Sequence, residues 1–343
     1  REERTRQAAD KASDNAADKA ADNAADKVVD NEADNAADVS PTGEEEVAAA
    51  EAAAVARYLE ACSPTIDLSD DFVSYPPQQF VLVEDSDLLS RFQGMFTITH
   101  KPKDNWTRDR KMASGFLDPK TPVPSEYQVF GAIRNEHAAC WRTYAVCKEV
   151  TRQECAKPPM EGVPEWSPWE PQTMRAPAHW DDLDLDPKAN EWLLLHGSTP
   201  EALEATARTG FNLAKVGSGG TTGGALYGDG TYFADSITKA DEYARGRVAE
   251  TYRFPEFRGC RAVAVCRVLG GRHYYTAADV QDCDKAKFQE RIFEGHYGST
   301  VGDRVKLKKT FMEYVVYNAA AVYLEYVVFY RRMYAVPVPD YHT

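Results

Sequence analysis

The feature that most restricts how this chain can fold is a low-complexity repeat near its N-terminal end. Residues 5–39 repeat Ala, Asp, Asn and Lys in near-tetrapeptides such as Ala8-Ala9-Asp10-Lys11. A segment with so few apolar side chains larger than Ala buries too little surface to offset the entropy lost on ordering. We therefore expect residues 1–63 to form an acidic, disordered tail, with a short helix near residues 44–62. The hydrophobic core has to come from the rest of the chain.

The tail also carries most of the net charge. The chain has 343 residues and a net charge of −14, and the 7 Lys and Arg against 16 Asp and Glu of residues 1–60 contribute −9 of it. The other 283 residues carry only −5, so we expect no general nucleic-acid binding, which needs a basic surface. We interpret the basic run Arg304–Lys309 as a solvated hairpin face. For the tail, a solvated linker is favoured over a modified or partner-binding segment.

The cysteines and the hydropathy pattern bear on compartment and metal binding. The seven cysteines are scattered and odd in number, which favours reduced thiols and a nuclear or cytoplasmic protein that is not secreted. Neither a signal-peptide pattern nor an apolar run long enough to cross a membrane is visible, so no membrane partner is expected. His137 and Cys140 could begin a metal site with Cys147 and Cys155. No second close pair completes a tetrahedral set, so the sequence predicts no metal.

Hydrophobic periodicity gives the order of the elements. It predicts helices at Glu136–Val150 and Thr199–Thr209, an amphipathic segment at 86–96, and strands at Phe80–Val83, Tyr127–Asn135, Trp192–Gly197, Gly259–Val268, Phe311–Tyr317 and Val322–Tyr330. We expect the last two strands to be adjacent. Residues 156–188 are rich in Pro, Trp and Asp and read as a surface insertion without an assigned role. Because few βαβ alternations occur, the pattern favours an α+β domain with a split antiparallel sheet.

The stretch from Trp192 to Tyr243 contains the residues with chemical potential. Its first strand ends in His196-Gly197-Ser198, and a small-residue loop, Gly217–Gly224, precedes Gly230-Thr231-Tyr232-Phe233-Ala234. Loops dense in glycine let a ligand approach the backbone closely. One His, two Tyr and such a loop within about fifty residues make a plausible small-molecule site. Taken singly, each of these side chains is more often part of a core.

At these residues the chain resembles the catalytic domain of the poly(ADP-ribose) polymerases, the diphtheria-toxin-like ADP-ribosyltransferases. The family signature of His-Gly, Tyr-Phe-Ala and a later Glu is matched by His196-Gly197, Tyr232-Phe233-Ala234 and Glu313. Tyr243 follows Tyr232 at the family's spacing for the tyrosine that covers nicotinamide. The resemblance implies an ADP-ribosyltransferase fold, which is α+β with a split, mainly antiparallel β-sheet and flanking helices. It implies a lead-in over residues 64–126 and a catalytic domain over 127–334.

The resemblance also implies a reaction and roles for the site residues. An acceptor on a protein displaces nicotinamide from NAD, the co-substrate, and no metal takes part. Glu313, His196 and Tyr232 form the catalytic set, with Glu313 stabilising the cation-like ribose carbon and His196 bonding the adenosine-side ribose. The remaining NAD-binding positions are Gly197, whose backbone meets the nicotinamide amide, Tyr243, which stacks on the ring with Tyr232, and Ser198, Gly230, Phe233 and Ala234. The loop over residues 216–229 would cover the adenosine end.

One departure from the family pattern bears on NAD affinity. Ala240 stands where the family has a Ser that bonds the nicotinamide carbonyl, whereas Lys239 beside it matches. Thr238 is the first candidate for a substitute donor, and Ser236 is the second. A Glu at position 313 is compatible with elongation to poly(ADP-ribose). The alternatives are mono-ADP-ribosyl transfer and a catalytically weak module that binds NAD or ADP-ribose.

Overall fold

A computed structural model describes residues 80–101, 123–159, 161, 167–175, 180–213, 226–278 and 285–337. The predicted tail with its short helix lies outside these residues, as does the predicted loop Gly217–Gly224. All described residues belong to one unit of the chain, residues 74–343. Within them no helix is both long and apolar enough to cross a membrane.

Five strands form the first sheet, in which every neighbouring pair is antiparallel. The strands, in spatial order, are β1 (Phe80–Leu82), β2 (Glu126–Asn135), β9 (Val322–Met333), β5 (Arg261–Leu269) and β3 (Glu191–Gly197). All nine residues of β5 are buried, because both faces of the sheet are covered. Ala262 and Ala264 pack into one core cluster, and Val263 and Val265 into a second cluster on the opposite face.

A second sheet has four strands. In spatial order they are β4 (Thr231–Phe233), β8 (Met312–Val316), β7 (Ser299–Asp303) and β6 (His273–Thr276). The pairs are antiparallel except β6 with β7, which is parallel. Two separate sheets with mainly antiparallel pairing confirm the predicted α+β class and its split sheet.

Six α-helices accompany the sheets in the described part of the chain. They are α1 (Ser86–Thr99), α2 (Ala138–Ala156), α3 (Pro200–Thr209), α4 (Ile237–Asp241), α5 (Lys285–Glu294) and α6 (Arg304–Lys308). Asp85 caps α1 by accepting from two backbone N–H groups, and the buried face of that helix joins the core beside β2 and β9. Thr199 caps α3, which ends at Gly210 with φ 77°, as the sequence predicted.

The expected adjacency of the two C-terminal strands is wrong. β8 pairs with β4 and β7 in the second sheet, whereas β9 pairs with β2 and β5 at the centre of the first. A 3-10 turn at Ala319–Ala321 separates them. Runs rich in Val and Tyr satisfy a buried strand in either sheet, so the pattern does not name the partner.

Two other segments also differ from expectation. Residues 167–175 and 180–188 run largely along the surface, as expected, but they are also anchored in the core. Thr173, Trp180 and Leu183 are buried, and the Trp180 indole donates to the Thr173 carbonyl at 3.0 Å. The basic run from Arg304 connects the antiparallel strands β7 and β8 and is mostly exposed, as expected, but it forms the short helix α6. In both cases tertiary packing decides what local composition left open.

Candidate active site

The end of β3 lies beside the end of β4 because a β-bridge joins them. Leu195 and Ala234 each donate a backbone hydrogen bond to the other, both at 2.9 Å. This bridge brings His196-Gly197 next to Tyr232 although the chain between them is long. The two sheets therefore meet at the residues that the sequence singled out.

His196 is held in one tautomer. Its Nδ1 lies 2.9 Å from the Tyr232 carbonyl oxygen, and since a carbonyl only accepts, Nδ1 carries the proton. Burial lowers the pKa of the imidazole, and the bond to the Tyr232 backbone opposes that shift only in part. The ring also packs between Phe211 and Phe233, at centroid distances of 5.3 and 5.6 Å. A neutral His196 thus offers Nε2 as an acceptor for a ligand hydroxyl.

Tyr232 is held by hydrogen bonds at its backbone carbonyl, which accepts from His196, and at its side-chain hydroxyl. Its hydroxyl accepts from the Tyr227 backbone N–H at 2.8 Å and donates to the Gly228 carbonyl at 3.0 Å. Burial raises the pKa of this phenol far above its usual value, so it stays protonated. Gly230 lets β4 approach β8, because a Cβ there would lie 2.6 Å from Val315 Cγ1.

Gly197 makes the closest approach in the site. A Cβ at this position would lie 1.9 Å from the Ala240 carbonyl oxygen and 3.1 Å from the Ala244 nitrogen. Ser198 follows, partly buried, directly after β3. A glycine is therefore required for β3 to pack against α4, the helix that leads to Tyr243.

Glu313 lies on β8 with its side chain 13% exposed. Its Oε1 is 3.7 Å from the Lys239 ammonium nitrogen and 3.8 Å from Arg304 Nε. Neither distance is a hydrogen bond, and no described residue donates one to this carboxylate. Glu313 is thus a partly accessible carboxylate between two cations, able to accept hydrogen bonds from a ligand.

Lys239 connects three parts of the site. The side chain is buried, lies 3.1 Å from Glu242 Oε2, approaches Glu313, and sits 5.1 Å from the centre of the Tyr243 ring. The sequence showed Lys239 only as a match to the family pattern, and the contact of Arg304 with Glu313 was missed. No local signal reveals that contact, because Arg304 reaches Glu313 only through the turn that joins β7, α6 and β8.

The hydroxyls of Ser236 and Thr238, the two candidates to replace the donor missing at Ala240, both bond elsewhere. Ser236 Oγ donates to the Thr99 carbonyl at 2.6 Å. Thr238 Oγ1 accepts from the Lys101 backbone N–H at 2.9 Å. Both hydroxyls bond to the backbone at the end of α1. Neither of them therefore replaces the side-chain donor that is missing at Ala240.

A buried network supports β8 from behind. Asp235 Oδ2 accepts from the Tyr314 hydroxyl at 2.9 Å and from the Gln172 backbone N–H at 3.2 Å. The Trp169 indole donates to the same Tyr314 hydroxyl at 3.1 Å. Burial raises the pKa of the Asp235 carboxyl. Tyr314 follows Glu313 in the strand and points to the opposite face, so this network fixes the strand that carries Glu313.

The candidate metal residues do not assemble into a site. His137 caps α2, with Nδ1 accepting from the Cys140 backbone N–H at 3.2 Å. Over the described ranges, no three His, Cys, Asp or Glu side chains are grouped to hold a metal ion.

A comparison with protein families matches this region. Residues 165–332 match the family model described as the poly(ADP-ribose) polymerase catalytic domain. All the site residues described above lie within that match, whereas β1, α1, β2 and α2 precede it. A search of curated proteins found no match.

Proposed function

We propose that this chain transfers ADP-ribose from NAD to a protein acceptor. The premise is that residues 165–332 belong to the poly(ADP-ribose) polymerase catalytic-domain family. The family itself indicates an NAD-dependent ADP-ribosyltransferase. The acceptor and the length of the product are our proposals. The observation that supports catalysis most is the Glu313 carboxylate, which is partly accessible and has no hydrogen-bond partner among the described residues.

Glu313 is proposed to act on the nicotinamide-side ribose. As nicotinamide leaves, the ribose carbon gains positive charge, and a nearby carboxylate stabilises it. The same carboxylate can accept a hydrogen bond from a ribose hydroxyl and help to deprotonate the attacking acceptor. Lys239 and Arg304 hold the carboxylate from one side, which leaves its other oxygen for these tasks.

The other residues are proposed to bind and orient NAD. His196 accepts a hydrogen bond from the adenosine-side ribose through Nε2, since its Nδ1–H is already donated to Tyr232. Gly197 offers backbone groups to the nicotinamide amide, and Tyr232 and Tyr243 provide aromatic faces for its ring. The proposed contacts are completed by Ser198, Gly230, Phe233 and Ala234.

Two observations separate the alternatives. The glutamate at position 313 favours an enzyme and permits elongation to poly(ADP-ribose), with mono-transfer as the second candidate. Ala240 favours a weak NAD-binding module, because a donor to the nicotinamide carbonyl is missing. Incubation with labelled NAD followed by a denaturing gel distinguishes them. A smear indicates polymer, a sharp band indicates mono-transfer, and an unlabelled lane contradicts the enzyme proposal.

A substitution tests the role of Glu313. Glu313→Gln keeps the shape but removes the charge, so we expect transfer to fall about 100- to 1000-fold while a benzamide-type inhibitor still binds. Glu294→Gln, at an exposed position at the end of α5, is the matched control and should leave the rate unchanged. A Glu313→Gln variant with the original rate would remove Glu313 from the mechanism.

A further inference from the structure

Asp241, the last residue of α4, is anchored to the first sheet by three side chains. Its carboxylate accepts from the Tyr330 hydroxyl at 2.7 Å, from Arg332 Nε at 2.7 Å and from the Tyr127 hydroxyl at 3.3 Å. The donors come from β9 and β2. The Asp241 side chain is completely buried and that of Arg332 is 1% exposed.

Arg332 contacts Asp241 at two points. Besides the bond from Nε to the carboxylate, Nη2 donates to the backbone carbonyl oxygen of Asp241 at 3.1 Å. The planar guanidinium therefore fixes the orientation of the residue as well as its distance from the sheet. A helix of five residues has few internal hydrogen bonds, so the position of α4 depends on such contacts.

A second buried guanidinium makes this arrangement costly. Arg261 is 5% exposed, donates to the Ala244 and Gly246 carbonyls, and has no hydrogen-bond partner for its Nε. Its burial lowers the pKa to about 10, repulsion by Arg332 acts in the same direction, and Asp241 opposes both. Burying two guanidinium groups close to each other is costly, so a gain in stability is a poor explanation for the pair of Asp241 and Arg332.

We propose that Asp241 and Arg332 are positioning residues for the NAD site, an inference that rests on the proposed function. The residues next to Asp241 form the wall of the site: Lys239 approaches Glu313 to 3.7 Å, and the Ala240 carbonyl packs against Gly197. Tyr243, two residues further, is the proposed cover of the nicotinamide ring. The two-point contact from Arg332 holds this wall at a fixed distance from β9, the strand that carries Arg332.

The charges decide which variants are informative. Asp241→Leu would remove the carboxylate that Arg332 contacts, with two guanidinium groups still buried nearby, so this variant is expected to fold poorly. Arg332→Met leaves Asp241 with its two tyrosine donors and with the positive charge of Arg261 nearby, so it should fold while losing the two-point contact. Arg332→Lys keeps the charge but not the fork of donors. Arg331→Met is the control, because Arg331 is exposed and stacks on Phe130 at 4.0 Å.

Hydrogen exchange and ligand affinity test the proposal together. In Arg332→Met we expect exchange of the amides at 237–243 to rise about 10- to 100-fold, as for loss of a hydrogen bond to a charged group. Benzamide should bind more weakly and KM for NAD should rise by a similar factor, with kcat changing less. Arg332→Lys should fall between Met and the native residue, and Arg331→Met should match the native protein.

Other outcomes overturn the proposal. Unchanged exchange and affinity in Arg332→Met would show that the pair positions nothing, and an equal rise in exchange along the whole chain would show a merely structural role. If Arg332→Met does not fold, Arg332→Lys is measured in its place, and full native behaviour in that variant would refute the two-point contact. If the native protein binds neither benzamide nor NAD, the proposed function fails, while exchange at 237–243 still decides whether Arg332 holds α4.

Discussion

Replacing Gly197 by Ala tests the packing of the site directly. The added Cβ would lie 1.9 Å from the Ala240 carbonyl oxygen, 2.9 Å from the Ala240 carbonyl carbon and 3.1 Å from the Ala244 nitrogen. All three atoms belong to the backbone, so no side-chain rotation relieves the clash. The strand β3 or the helix α4 has to move.

The required movement can be estimated from these contacts. Ordinary van der Waals contact begins at 3.4 Å, so the two elements must separate by about 1.5 Å. Overpacking of this kind typically costs about 1–3 kcal/mol, which lowers Tm by roughly 2–12 °C in a domain of this size. A misplacement of about 1 Å in a site can reduce the rate about 100-fold. We therefore expect a moderate loss of stability and a large loss of NAD turnover.

Thermal unfolding and benzamide titration measure the two effects. Gly298→Ala is the control, because the nearest atom to its Cβ is the Gly270 carbonyl oxygen at 3.3 Å, which a small shift accommodates. That variant should keep its affinity for the inhibitor. A Gly197→Ala protein with native Tm and native affinity would refute the close packing of β3 on α4 on which the site depends.

Two further predictions concern Ala240 and Asp235. Since the Ser236 and Thr238 hydroxyls bond elsewhere, Ala240→Ser should tighten benzamide binding several-fold, the equivalent of about 0.5–1.5 kcal/mol, with little change in kcat at saturation. Equal inhibitor constants for the two forms would contradict this. The pKa of Asp235 is raised from its ordinary 3.8 by burial, so the folded state binds its proton more tightly and loses stability as pH rises from 3.8 through the folded pKa. Asp235→Asn removes that loss, so the stability of this variant relative to the native protein should increase over this pH range and then level off. Denaturant unfolding at several pH values measures the difference in stability. A difference that stays constant with pH would exclude the mechanism.

The sequence predicted the elements of the site better than their connections. The strand ending at His196-Gly197 was placed correctly, because short apolar runs bounded by glycine are strong local signals. The assignment of Glu313 to a strand was also confirmed. The roles of these residues in NAD chemistry stay predictions, since they come from the resemblance.

The parts that the sequence did not predict depend on distant pairs. Asp241 and Arg332 are 91 residues apart. From the sequence alone, an acidic residue after Ala240 indicates a polar surface position, because its contact with β9 exists only in the folded chain. Arg304 was interpreted as solvated for the same reason. Trp180 was placed on the surface because proline-rich composition around it hid its buried indole. Charge partners and core contacts of this kind are set by tertiary packing, which periodicity does not encode.

The bridge between Leu195 and Ala234 has a mechanical consequence. His196 belongs to the first sheet and Glu313 to the second, so a ligand that touches both would span the junction of two sheets that this bridge joins. NAD bound in this position would restrict the relative motion of the two sheets. Part of its binding free energy would then offset the conformational entropy that the sheets lose. The affinity for NAD would then depend on how rigidly the two sheets are joined, and a substitution at Leu195, which is not among the proposed contacts, would alter binding through this bridge alone.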